Sequence, residues 1–110
     1  MALDDRRFQT LADDTLDQVM AAVEEACGDR AEVELNAGIL TIQPEAGGQF
    51  VLNKHGPTKQ LWLSSPGSGA WHFAWDEGAE AWRSTRGPET LTDILARDLS
   101  QAIGKEVALG

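Results

Sequence analysis

Apolar residues recur at three- and four-residue steps from Phe8 through Leu11, Ala12, Leu16, Val19, Met20 and Val23 to Cys27. That period belongs to one face of an α-helix, so residues 6–27 are predicted to be an amphipathic helix. Gly28 stops it, being the residue that most easily turns left-handed after a helix. The period then falls to two. Val33 and Leu35 alternate with Glu32 and Glu34 across residues 31–35, and residues 39–43, 49–54, 59–65, 70–75 and 81–84 read as further strands. Asn36-Ala37-Gly38, Ala46-Gly47-Gly48, Gly56-Pro57 and Asp76-Glu77-Gly78 are turn sequences between them. Connections this short imply an antiparallel meander. The helical period returns at Leu91, Ile94, Leu95, Leu99, Ala102 and Ile103, with Thr90 as cap, Asp93 in the first turn and Gly104 after the last. Two helices with one apolar stripe each are stable together only over the same sheet face. The expected class is therefore α+β: a two-layer α-β sandwich, its antiparallel sheet of about six strands covered on one face by N- and C-terminal helices.

Length fits this frame: 110 residues make one domain, 1–110, with a single modest core. No repeat, low-complexity tract or linker interrupts the chain, and no apolar run is long enough for a membrane-spanning helix. The segment MALDDRRF lacks both an apolar secretory core and the acid-poor character of a transit peptide, so the expected location is the cytoplasm. Cys27, the single cysteine, has no partner for an internal disulfide or a zinc pair and is expected to face the core at a helix end.

Charge changes the picture more. The formal net charge is −9, and residues 1–36 hold ten acids against Arg6, Arg7 and Arg30. Nucleic acid is a poor partner for such a chain, whereas cations and basic proteins are natural ones. On a helical wheel Asp13, Asp17 and Glu24 fall in one line away from the apolar stripe, with Asp14 and Glu25 beside them. Asp29, Glu32 and Glu34 continue the acidic surface into the loop and first strand. No Lys or Arg lies between Arg7 and Arg30, so the helix itself offers no compensating base. A solubility surface normally mixes both signs; an unmixed acidic ridge also fits a plain solvated face. Carboxylates without His or Cys suit hard cations such as Fe3+, Ca2+, Mg2+ and Mn2+, and hold Fe2+ loosely.

The second candidate surface lies on the strands. In Gln60-Leu61-Trp62-Leu63-Ser64, the side chains alternate faces. If Leu61 and Leu63 point to the core, Trp62 points outward among polar neighbours, and with Asn53, Lys54 and Gln60 it would form a polar-rimmed aromatic docking patch. Trp71, Trp75 and Trp82 are expected in the core. His55 and His72 come from different elements, and their spacing gives no paired site. Ser64, Ser65 and Ser68 lack the His and Asp arrangement of a catalytic nucleophile, and the glycines of Pro66-Gly67-Ser68-Gly69 read as turn residues.

The stretch NKHGPTKQLWLSSPGSG, Asn53 to Gly69, resembles the frataxin signature, roughly N-K-Q-x-P-x-K-Q-[IL]-W-L-S-S-P-x-S-G. His55 stands where the family usually has Gln, and His72 where its eukaryotic members usually carry Arg. The resemblance spans nearly the whole chain and implies the same α-β sandwich. It further implies iron, Fe2+ or Fe3+, held exchangeably by exposed acids of the first helix and first strand: here Asp13, Asp17, Glu24, Glu25, Asp29, Glu32 and Glu34. It implies partners too, the cysteine desulfurase and scaffold protein of iron–sulfur cluster assembly, met by the face of Asn53, Lys54, Gln60, Trp62 and His72. The expected role is a non-enzymatic regulator or adaptor, monomeric or forming oligomers with iron. The alternative is a ferroxidase or iron-storage protein, though no enclosed set of Glu and Glu-x-x-His ligands is visible.

Overall fold

The computed structural model describes residues 3–109; Met1, Ala2 and Gly110, the ends of the expected 1–110 domain, lie outside the described residues. The element order is α1 (Asp5–Cys27), β1 (Ala31–Asn36), β2 (Ile39–Pro44), β3 (Phe50–His55), β4 (Gln60–Ser65), β5 (Gly69–Asp76), β6 (Ala81–Ser84) and α2 (Leu91–Ile103). The six strands form one sheet in sequence order, every neighbouring pair antiparallel. Local chemistry sets the ends. The Asp4 side chain accepts from the Arg7 N–H at the start of α1, and Thr90 does the same for Asp93 at the start of α2. Gly28 follows α1 at φ +54°, and its N–H donates to the Glu24 carbonyl.

Period-two burial confirms the alternation. Leu40 and Ile42 of β2, Phe50 and Leu52 of β3, Leu61 and Leu63 of β4, Phe73 of β5 and Trp82 of β6 share a buried layer. Phe8, Ala12, Leu16, Val23 and Cys27 of α1 and Leu91, Ile94, Leu95 and Leu99 of α2 complete the same core. Both helices therefore cover one sheet face, as two single-striped helices must. Full burial of a Leu or Phe contributes roughly 1.5–3 kcal/mol, so this one layer holds most of the favourable free energy. Cys27 is buried, and burial pushes its thiol up. Of the tryptophans expected inside, Trp82 is buried, with its indole N–H on Thr15 Oγ1 at 2.8 Å. Trp71 and Trp75 are only half-buried against the core: they stand toward the two ends of β5, whereas Phe73 between them is fully buried.

Asp98 is the exception to the apolar stripe of α2. It is 3 % exposed and accepts hydrogen bonds from the hydroxyls of Ser65, at 2.7 Å, and Ser68. Ser65 Oγ in turn accepts the N–H groups of Gly67 and Ser68, while Ser68 Oγ accepts the Trp71 indole N–H at 2.8 Å. The β4–β5 turn is thus tied to α2 by a single buried carboxylate. Among the described residues no helix is long and apolar enough to cross a membrane.

Candidate functional site

All seven acids of the expected ridge are exposed. Asp13, Asp17, Glu24 and Glu25 stand on the outward side of α1, opposite the buried Phe8, Ala12, Leu16 and Val23. Asp29 lies in the short 3-10 turn Gly28–Arg30 that leads into β1. Glu32 and Glu34 alternate with Ala31, Val33 and Leu35, so they stand on the sheet face away from the helices. The acids therefore follow α1 and wrap around the β1 edge. Among the described residues no three Asp, Glu, His or Cys side chains converge to hold a metal ion. Oxygen-only donors spread over an exposed surface fit a loosely held hard cation and not an enclosed centre.

The ridge does have a compensating base, supplied from another element. Lys54 Nζ lies 2.8 Å from Asp13 Oδ1 and donates to Gln9 Oε1 at 2.8 Å. Lys54 pairs with Leu61 across the β3–β4 ladder, which places its side chain on the helix side of the sheet. This corrects the expected docking patch: Lys54 does not join the Trp62 face. Asn53 and Lys54 are adjacent in a strand and must point opposite ways.

The outer sheet face is built around Trp62. Ladder pairing sets Ile39, Asn53, Trp62 and His72 in one row across β2, β3, β4 and β5. The His55 ring stacks on one side of the Trp62 ring, centroids 3.7 Å apart, and His72 stacks on the other at 4.3 Å. The two histidines, unrelated by spacing in the sequence, are brought together here. Gln60 Oε1 accepts the Trp62 indole N–H at 2.9 Å, and the Thr58 hydroxyl lies 2.7 Å from His55 Nδ1. Trp62 is half-buried by this packing, so its edge and the outer faces of the imidazoles meet solvent. Ile39, 46 % exposed, is the exposed large hydrophobic residue among the described ones and extends the patch toward β2. Sequence reading missed it, although the alternation of β2 places Ile39 opposite to Leu40 and Ile42. Ser65 and Ser68 do meet a carboxylate, Asp98, but the histidines stand on the other sheet face, so no base is placed to activate either hydroxyl.

A six-stranded antiparallel sheet under two terminal helices, with an acidic helix and an open aromatic sheet face, defines a frataxin-like α-β sandwich. A family model described as a frataxin-like domain matches residues 1–105. The chain is 34% identical over 107 residues to the iron-sulfur cluster assembly protein CyaY of Pseudomonas fluorescens strain SBW25, covering 97% of this chain and 96% of that one. It is 38% identical over 103 residues to the mitochondrial frataxin homolog of Saccharomyces cerevisiae, covering 90% of this chain and 58% of that one. In structure it is similar to frataxin from Psychromonas ingrahamii, with a TM-score of 0.87 at 21% identity over 98% and 99% of the two chains. It is also similar to trimeric yeast frataxin complexed with ferrous iron, with a TM-score of 0.73 at 38% identity over 96% and 90% of the two chains. The chain belongs to the frataxin family.

Proposed function

We propose that this protein is an iron-binding adaptor of iron–sulfur cluster assembly in the bacterial cytoplasm. The observation that carries the reading is the pairing of two different surfaces on one small domain. Exposed carboxylates run from α1 around the β1 edge, and a polar-rimmed aromatic patch stands on the sheet. Membership of the frataxin family and the assembly role in the names of its relatives support it. In this reading iron is cargo. Asp17, Glu24, Glu25, Asp29, Glu32 and Glu34 hold Fe2+ or Fe3+ weakly and exchangeably, with Asp13 at the end of the row. The same charge draws in a basic surface of the cysteine desulfurase. Ile39, Asn53, Gln60, Trp62 and His72 dock on the desulfurase–scaffold complex, with Trp62 as the central anchor.

The test is capture of purified desulfurase and scaffold by this chain. Trp62→Ala is expected to weaken capture by tenfold or more, about 1.4 kcal/mol or above, since central aromatic anchors dominate interfaces. Reversing Asp17 and Glu24 to Lys is expected to weaken it in a salt-dependent manner. Capture indifferent to both changes would sink the reading.

A further inference from the structure

Asp13 heads the acidic ridge, yet it is the ridge acid that already has a cation. The Lys54 ammonium is fixed between Asp13 Oδ1 and Gln9 Oε1, 2.8 Å from each. Its stem crosses the β1–β2 turn so closely that a Cβ on Gly38 would lie 2.8 Å from Lys54 Cε. Gly38 also sits at φ +79°, a conformation that glycine alone takes readily. The Lys54 N–H donates to the Gly38 carbonyl, 3.4 Å away, and ladder pairing with Leu61 fixes the strand beneath. Lys54 is only 23% exposed at the side chain, against 56% for Asp13. The ammonium is thus delivered by a strand, a turn and a helix together. Asp17, Glu24, Glu25, Asp29, Glu32 and Glu34 have no such partner among the described residues.

We propose that Lys54 is a built-in cation that occupies the Asp13 end of the ridge and excludes divalent ions from it, directing them to Asp17 and the acids beyond. This deepens the reading of the ridge as a cation-holding surface and rests on it. A divalent ion at Asp13 has to displace an ammonium already in hydrogen-bond contact, and while Lys54 stays it repels the ion. At about 6 Å in water, one unit charge against a divalent ion is worth about tenfold in binding. Lys54 therefore sets where along the ridge an ion rests and how tightly, without touching it.

Mn2+ titration followed by broadening of backbone amide NMR signals tests this. In the unaltered protein, broadening is expected to be strongest over residues 17–34 and to fade through residues 9–13. In Lys54→Gln it is expected to spread to residues 9–13, with Mn2+ affinity raised by about tenfold. Lys54→Arg keeps the charge and is expected to match the unaltered protein. Adding Asp13→Asn to Lys54→Gln is expected to cancel the gain, an outcome that a merely structural role of Lys54 would not give. Broadening over 17–34 with the same affinity and pattern in Lys54→Gln would overturn the proposal and leave the cation-holding reading intact. No broadening within residues 13–34 in any of these proteins would overturn both.

Discussion

At the scale of single residues, Asp98 shows how a turn motif acquires its rigidity. Burial pushes its carboxyl pKa up, but hydrogen bonds from Ser68 and Ser65 and the neighbouring Arg97 guanidinium outweigh that and hold it below the usual carboxylate range. A group whose folded-state pKa is depressed adds stability that is present above the unfolded pKa, about 3.9, and is lost as pH falls through the folded one. Asp98→Ala leaves the buried Ser65 hydroxyl, and that of the exposed Ser68, without their acceptor and is expected to cost about 1–3 kcal/mol at neutral pH, measured by urea unfolding. The gap between the two proteins should begin to narrow as pH falls below about 4, where the unfolded carboxyl takes up its proton, and its charge-dependent part is gone only once pH has fallen through the lower folded-state pKa. An unchanged gap at low pH would mean that the charge of Asp98 is not what matters.

At the scale of elements, β4 has two faces with different duties. Leu63 is buried and Trp62, its neighbour, stands on the open side. Leu63→Ala is expected to cost about 2–5 kcal/mol through the cavity it leaves. Trp62→Ala is expected to cost about 1 kcal/mol, the worth of its stacking with His55 and His72. Thermal unfolding of the two variants should therefore separate by several degrees, in the order opposite to their effect on partner capture. The end of α1 offers a cleaner backbone test. A Cβ on Gly28 would meet nothing within 4 Å, so Gly28→Ala is destabilising only through its backbone, whose φ of +54° with ψ of −128° lies outside the left-handed helical region and is sparsely open to residues with a Cβ, by about 1–3 kcal/mol. A smaller loss in denaturant unfolding would mean that the helix end relaxes.

For the whole molecule, charge is distributed with purpose. Arg7 pairs with Glu77 and Lys59 with Asp5, so α1 is tied to the turns at one end of the sheet. Asp17, Glu24 and Glu25 stay uncompensated on the same helix among the described residues. Replacing Asp17 by Asn and Glu24 by Gln is expected to stabilise the fold, by a few tenths of a kcal/mol for each repulsion of Asp17 with Asp13 and Asp14 one turn away, and so to raise the melting temperature. Replacing Asp13 by Asn is expected to lower it, because Lys54 loses its partner. Salt should shrink both effects. Equal shifts for Asp13 and Asp17 would show that the Lys54 contact contributes nothing.

The sequence by itself determined the elements, their order and the fold class, because periods of 3.6 and 2 are local properties that any packed core must respect. It also determined that Trp62 faces away from Leu61 and Leu63, and that the acids of α1 stand opposite its apolar stripe. The outward face of Ile39 was legible in the same alternation, and so was the inward face of Lys54. Grouping Lys54 with Asn53 put aside the pleat that separates adjacent residues. The remaining features needed the third dimension. Whether a base compensates Asp13 depends on a strand forty-one positions away along the chain (13 to 54). His55 and His72 meet only because the β3–β4 and β4–β5 registers bring both beside Trp62. Asp98 reads as a polar break in a helix until the β4–β5 turn is folded onto it. Such contacts are set by register and packing between elements, and no window of sequence contains both partners.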